Sequence, residues 1–489
     1  MASTTTTGQR LNAGTLAALA PTIAKPGVSG FETGIVHIGL GAFHRAHQAV
    51  YTDDSLNRTP GPWGICGVSL RSPDTRDALA PQDCLYTVAV RDASGDRLRV
   101  VGSITETLVA PEDPAAVLDR LTNPATRIVT ITVTEKGYCH EPATGALNRD
   151  HPGIRHDLAN PGRPQTLAGF LVEALDRRRK AGTPPFTVLS CDNLPDNGHV
   201  TAGILRQFAD LRDPDLGQWI AGTVACPSSM VDRIVPATTD EDRATVAQAL
   251  GVTDAWPVMT EPFSQWVIED NFPAGRPAWE LEGAELVSDV RPYELMKLRL
   301  LNGSHSCIAY LGYLAGHQTV SDAMADPVFA GFVRALMDEE VTPTLAVPPG
   351  ADLTRYKSAL LERFANPALK HRTWQIAMDG SQKLPQRLLG TIRDRLAAGQ
   401  PFARLALGVA AWMRYVGGVD ERGEAIDVRD PLADRLRTLP DAASLLGVRE
   451  VFGDDLPGNP AFVAAVTEAL DRLKATGARD AVQSLNPNS

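Results

Sequence analysis

The chain has 489 residues, 43% hydrophobic and 21% charged, with a formal net charge of -11. That length exceeds one ordinary core and suggests two or three domains, two being the first expectation, while the composition excludes wholesale disorder. Basic runs stop at short pieces such as "DRRRK" (176–180) and the apolar "LALGVAAWM" (405–413) is too short to span a bilayer, so nucleic acid and membrane are not expected partners.

The opening "MASTTTTGQRLNAGTLAALA" lacks a basic segment followed by a long apolar one, which predicts a cytoplasmic protein. The Thr run at 4–7 and the polar "SLNPNS" tail are expected to fray. The runs "GIVHIGLG" (34–41), "GICGVSL" (64–70), "RIVTITVT" (127–134) and "FTVLSCDN" (186–193) read as strands. Between them "AHQAVYTDDSLN" (46–57) and "TLAGFLVEALDRRRKAG" (166–182) read as helices. The alternation predicts an α/β fold, a Rossmann-type doubly wound parallel sheet over residues 1–290. "LYTVAVRD" (85–92) and "RLRVVGSI" (97–104), joined by "ASGD", predict an antiparallel hairpin inserted in it. From about Pro292 strand patterns nearly vanish, and residues 291–489 are predicted to form a mostly helical C-terminal domain.

Six scattered cysteines without a C-x-x-C predict buried, reduced thiols. "HRAH" (44–47) supplies half a metal site that no carboxylate or cysteine cluster completes, so no metal is expected. In "GIVHIGLGAFHRAHQAVYTDD" (34–54), Gly39 and Gly41 occupy the first two positions of G-x-G-x-x-G, and His44 replaces the third glycine. Such a turn lets a pyrophosphate approach the backbone at a helix N-terminus, which makes Gly39, Gly41, Phe43, His44 and Arg45 candidates for a dinucleotide site, although paired glycines are equally ordinary turn chemistry. Asp74, after the second strand, suits ribose hydroxyls, though it can equally begin a helix. Glu135, Asp192 and Asn193 also follow strands, on the edge where open α/β sheets take ligands, Asp192 reading best as a helix cap.

In the second domain "KLRLLNGSHS" (297–306) puts Lys297, Asn302 and His305 into an apolar helix. At about 100° per residue from Lys297, Glu294 lies near 60°, His305 near 80° and Asn302 near 140°, so the polar groups share one side. Along the axis Lys297 and His305 lie roughly 12 Å apart. The alternative is that Lys297 snorkels, Asn302 and Gly303 end the helix and His305 is a core histidine. The set suits an alcohol–ketone interconversion: a base for the hydroxyl proton, amides for an alkoxide-like oxygen and an imidazole to orient the substrate. Tyr293 and Lys297 also form Y-x-x-x-K, but far too late after the glycine turn for the short-chain dehydrogenases that use that pair.

The runs "GAFHRAHQAVYTD", "TVTEKGYC", "SCDNLPDNGHV", "MVDRIVP", "QWVIEDNF", "MKLRLLNGSHS" and "IAMDGSQKLPQR" resemble the polyol-specific long-chain dehydrogenase/reductase (mannitol dehydrogenase) family. The resemblance implies a metal-independent, NAD(H)-dependent secondary alcohol dehydrogenase with its active site between the two domains. It implies Lys297 as general base, Asn193 and Asn302 as the amides holding the reacting oxygen, His305 as the substrate-orienting group and Glu294 as a proton relay. By the same resemblance Asp232 and Lys383 line the substrate site, and Asp74 favours NAD, with Pro73 standing where an acidic residue would sharpen that choice. The small-molecule substrate is a sugar acid, D-mannonate/D-fructuronate, or a neutral polyol, mannitol/fructose. Gln375 stands where mannitol 2-dehydrogenase has an arginine, and Arg299, Arg372 and Arg387 are candidates for a carboxylate fork. A sensor that binds a nucleotide without turnover is the alternative of another class, and monomer and dimer both stay open.

Overall fold

The computed structural model describes residues 8–27, 30–92, 94–141, 145–348, 350–439 and 441–486. The Thr run at 4–7, Ala93 of the hairpin turn and the last three residues of the tail lie outside them. The chain divides into two compact units, Met1–Val290 and Arg291–Ser489.

The first unit is organised by β1 (Thr33–Ile38), β2 (Gly64–Ser69), β3 (Tyr86–Asp92), β4 (Gly95–Val101), β5 (Ile104–Val109), β6 (Ile128–Ile131) and β7 (Thr187–Ser190). Five of these form a wholly parallel sheet in the order β5-β2-β1-β6-β7. Every residue of β1, β6 and β7 is buried, as expected for strands covered on both faces. The order runs outward from β1 in one direction and then restarts at β6 in the other. The carboxyl ends of β1 and β6 therefore flank the switch point where such sheets take ligands. The helices Gln48–Arg58 and Leu167–Ala181 fall where the sequence pattern places them, the second capped by the Thr166 side chain.

The hairpin is a correction to the predicted arrangement. β3 and β4 do pair antiparallel, but with β9 (Val258–Thr260) they make a separate sheet, β4-β3-β9, and are not inserted in the parallel one. The second predicted strand also divides: its apolar run leaves the hairpin at Val101 and enters the parallel sheet at Ile104 as edge strand β5. At the break the Gly102 amide donates to Asp53 Oδ1 at 2.9 Å. A third sheet, β11-β10-β8, uses β8 (Ser229–Asp232), β10 (Gln265–Glu269) and β11 (Glu285–Val287).

The second unit is helical. Its centre is the helix Ala403–Val416, in which every residue from Leu405 to Met413 is buried, so "LALGVAAWM" is a core helix. It packs on the helices Ser304–Leu314 and Pro460–Thr476. Its N-terminus has no capping side chain of its own. Instead Glu340, from the π-helical turn Leu336–Val341, accepts from the amides of Arg404 and Leu405, each at 2.9 Å. Among the described residues no helix is long and apolar enough to cross a membrane.

Candidate active site

In the first unit the glycine turn is dictated by the sheet. Gly39 directly follows β1 at φ +99°, and a Cβ there would lie 2.1 Å from the Thr132 carbonyl at the end of β6. Only glycine meets both demands. Its amide donates to the Val68 carbonyl at 2.8 Å, tying the turn to β2. Gly41 begins the helix Ala42–Ala46 with extended backbone, and the nearest neighbour of a Cβ there is 3.7 Å away. Crowding within the unit does not require Gly41, whereas close approach of a ligand would. The first amides of a helix have no partner within it, so the turn suits a phosphate. Asp74 is the exposed first residue of the helix Asp74–Leu79 and accepts from Ser72 Oγ at 3.0 Å. A glycine turn open at Gly41 and an exposed carboxylate beyond β2 fit a dinucleotide. Glu135 is exposed on the turn Glu135–Tyr138 after β6.

His44 and Arg45 need correction as side-chain contacts. Both are buried within the unit. The His44 ring stacks on His37 with centroids 3.3 Å apart and planes 12° apart. Burial holds its pKa well below the ordinary value, so it stays neutral. Arg45 lies over the Tyr86 ring, 5.2 Å from its centroid, and donates to the Trp256 carbonyl. Helix geometry turns these side chains into the core behind the turn and leaves backbone amides to meet a ligand. Phe43 is half-buried and stacks on His47 at 5.1 Å.

His37, which the sequence reading did not single out, buttresses the turn. Its Nε2 lies 3.2 Å from the Gly39 carbonyl, which can only accept, so Nε2 carries the proton and Nδ1 accepts from Thr130 Oγ1 at 2.8 Å. Burial pushes its pKa down to about 3. The available signal was a histidine in the middle of an otherwise buried strand.

Asp192 caps a loop and no helix. Its carboxylate accepts from the amides of Val133 and Thr134, at 3.0 and 2.9 Å, and from the Tyr138 hydroxyl at 2.8 Å. Those donors support the charge, although burial has the larger effect and raises the pKa. Asn193 follows, exposed. Asn197 then ties this loop to β8: its Nδ2 donates to the carbonyls of Asp192 and Ser229, and its Oδ1 accepts from the Ser229 amide. Asp232 ends β8, buried.

In the second unit the helix does not stop at Asn302. Arg291–Met296 continues through a π-helical turn, Lys297–Gly303, into Ser304–Leu314. An α-helical period therefore does not describe residues Lys297–Gly303. A π turn bonds each residue to the fifth one on, so Asn302 lies closer in angle to Lys297 than an α-helix would place it. Lys297 is 8% exposed and His305 is 7% exposed, with Glu294 half-buried a turn earlier. The wide turn needs Gly303, because a Cβ there would lie 2.9 Å from the Arg387 carbonyl on a second π turn, Pro385–Leu389.

His305 lies against Phe364, with centroids 4.5 Å apart, and edge-on to His371 at 5.3 Å. Burial, then His371, Arg363 and Arg387, hold its pKa well below the ordinary value. His371 is pushed down to about 4 by burial and by Arg363, Arg387 and Lys383. Neither His371 nor Arg363 was among the predicted site residues; a single sequence has no periodic signal for them. Lys383 donates to the carbonyls of Met378 and Ile376, at 2.6 and 3.4 Å. Gln375 and Arg372 are exposed, on and just before the short helix Thr373–Ala377. Arg299 is not available to a substrate: it donates to Thr344 O and Oγ1 at 3.0 and 2.8 Å and pairs with Asp394 at 2.6 Å.

Residues 33–281 match the mannitol dehydrogenase Rossmann domain and residues 289–474 the mannitol dehydrogenase C-terminal domain. The chain is 53% identical over 460 residues to the uncharacterized oxidoreductase YeiQ of Escherichia coli (strain K12), covering 92% of this chain and 94% of that protein. It is 50% identical over 474 residues to the D-mannonate oxidoreductase of the same organism, covering 94% and 96%. Among solved structures, the Pseudomonas fluorescens mannitol 2-dehydrogenase ternary complex with NAD and D-mannitol is similar with a TM-score of 0.88 and 44% identity. That match covers 98% of this chain and 100% of that one.

Proposed function

Because the chain belongs to the mannitol dehydrogenase family, NAD-dependent oxidoreductases acting on CH–OH groups, we propose that it interconverts D-mannonate and D-fructuronate, using NAD(H). The observation that carries the chemistry is the π turn, which sets Lys297 and Asn302 on one side of the helix with His305 directly after them. NAD, when bound, would supply the hydride acceptor for oxidation of the substrate's secondary carbinol. Lys297 removes the hydroxyl proton, and a lysine withdrawn from water is suited to that task. Asn302 donates to the oxygen as it gains negative charge, a role the family resemblance also assigns to Asn193. Neutral His305 orients the neighbouring hydroxyl, and Glu294 passes the proton to solvent. Asp232 and Lys383 contact the rest of the chain of carbinols. In the first unit the amides after Gly39 and Gly41 would hold the pyrophosphate and Asp74 would accept from the adenosine ribose.

The sugar acid is preferred to the neutral polyol on the half identity to D-mannonate oxidoreductase and on the cations gathered around His305. The test follows NADH consumption by purified protein given D-fructuronate and D-fructose separately at matched concentrations. Faster reduction of D-fructuronate is expected. A preference for D-fructose would replace the proposal with a mannitol-type activity.

A further inference from the structure

In the first unit the connection after β7 is tied down on both sides of Asn193. Cys191 donates its amide to the carbonyl of Ile131, the last residue of β6, at 2.9 Å. The Asp192 carboxylate then crosses to the loop after β6, taking the amides of Val133 and Thr134 and the hydroxyl of the buried Tyr138. That hydroxyl also meets Ser190 Oγ, at the end of β7, at 2.5 Å. The Asp192 carbonyl accepts from Asn197 Nδ2 at 3.1 Å, and the buried Asn197 side chain is held in turn by the amide and the carbonyl of Ser229 on β8. Asn193 stands exposed between these ties, with the buried Leu194 beside it.

The tie to β6 holds backbone that would not rest there unaided. Thr134 has φ +65° and ψ 164°, a region that a β-branched residue rarely occupies, and its amide is one of the two that Asp192 takes. Such a conformation persists only where its surroundings over-determine it, and it gathers where ligands are handled. The direction of the Asn193 Cα–Cβ bond is set by the backbone on either side, which is what the ties hold. An amide stabilises a developing alkoxide only if its donor is aimed before the reaction begins. Misplacing such a group by about 1 Å can cost about 100-fold in rate.

We infer that Asp192 is a positioning residue for Asn193: by tying the connection after β7 to the amides of Val133 and Thr134, its carboxylate aims the Asn193 amide at the reacting oxygen. The inference rests on the dehydrogenase reading above, in which the family resemblance gives Asn193 a share in holding that oxygen, and goes beyond it by naming the group that sets Asn193. In this role Asp192 touches neither substrate nor cofactor and moves no proton. An asparagine cannot replace it. Oδ2 takes Val133 and Tyr138 while Oδ1 takes Thr134, so the NH2 of an Asp192→Asn variant would face a backbone N–H whichever way it turned.

The experiment is a double-mutant cycle in the full-length protein. It measures kcat with NADH for whichever of D-fructuronate and D-fructose the wild type reduces faster, in wild type, Asp192→Asn, Asn193→Ala and the double variant. NADH binding followed by fluorescence, together with thermal melting, reports whether each variant is folded. Asn193→Ala is expected to lower kcat about 100- to 1,000-fold, the usual loss for one such donor, and Asp192→Asn about 10- to 100-fold. Once Asn193 is already alanine, Asp192→Asn should lower kcat by less than about 3-fold. Losses that multiply in the double variant overturn the inference, because a role in the fold or at the cofactor would persist without the Asn193 amide. A folded Asp192→Asn variant with wild-type kcat overturns it as well. Unchanged kcat in Asn193→Ala removes Asn193 from the chemistry and the inference with it, while leaving the dehydrogenase reading in place. If Asp192→Asn fails to fold, Tyr138→Phe, which withdraws one donor from the carboxylate, goes through the same cycle. A few-fold loss confined to the background with Asn193 intact supports the inference, and an equal loss in both backgrounds, or none, overturns it. A wild type that reduces neither sugar overturns the dehydrogenase reading itself, and the inference with it.

Discussion

The two units place polar groups by opposite devices. In the first, they come where regular structure ends: Gly39, Glu135 and Asn193 each follow a strand, and Asp192 and His37 brace the connecting loops. In the second, they come where regular structure is distorted without ending: Lys297 and Asn302 on one π turn, Arg387 on another, and Glu340 on a third. The difference teaches that an ideal helical period is a poor guide in the unit where a widened turn aligns the site.

The contrast would break first at Lys297. Lys297→Ala should lower kcat by about 10²- to 10⁴-fold, the usual span for a lost general base, while NADH binding stays within a few-fold. Equal loss of both, in rapid-reaction and binding measurements, would mean that the π turn supports the fold and not the chemistry. Next, Gly39→Ala should cost about 3 kcal/mol or more, because it combines a positive φ with collision against the Thr132 carbonyl. Denaturant unfolding would measure it, and a loss well under this figure would show that the strand-end turn yields as readily as the π turn. Gly303→Ala should cost about 1–3 kcal/mol, since the 2.9 Å approach to the Arg387 carbonyl is tight but φ is ordinary. Its activity should fall further than its stability if that turn aligns Lys297 with Asn302.

Falling pH should sharpen the comparison most gently. His37 and His44 in the first unit, and His305 and His371 in the second, all have folded pKa values below the ordinary one. The unfolded chain takes up protons from about pH 6.5 downward, whereas folded His37 and His371 resist until about 3 and about 4. Stability contributed by these groups is therefore complete above pH 6.5 and lost progressively below it. Urea midpoints taken between pH 7.5 and 5 should decline, and a flat series would show that other groups compensate.

How much was legible follows the same division. Strand periodicity and the glycine pair located the parallel sheet and its ligand edge, because a buried parallel strand announces itself as an apolar run and its end as a polar one. The hairpin was legible as a pair, but its sheet was not, since β9 arrives from residues 258–260, far along the chain. His44 and Arg45 were misplaced because a motif fixes neighbours in sequence and leaves open which way a short helix turns its side chains. In the second unit the residue identities were legible and their angles were not. A π turn has no signature in a single sequence, and Arg363 and His371 reach His305 only through tertiary packing.

One carboxylate, that of Asp192, joins the loop after β6 to the end of β7. The amides of Val133 and Thr134 belong to no strand, yet each donates to this carboxylate, at 3.0 and 2.9 Å. In hydrogen exchange they should therefore open only with the sheet, reporting the cooperative unit rather than local fraying. Slow exchange of both amides would mark the ligand edge of the first unit as a rim that moves only with the whole sheet, and fast exchange at the exposed Thr134 would mark it as locally loose.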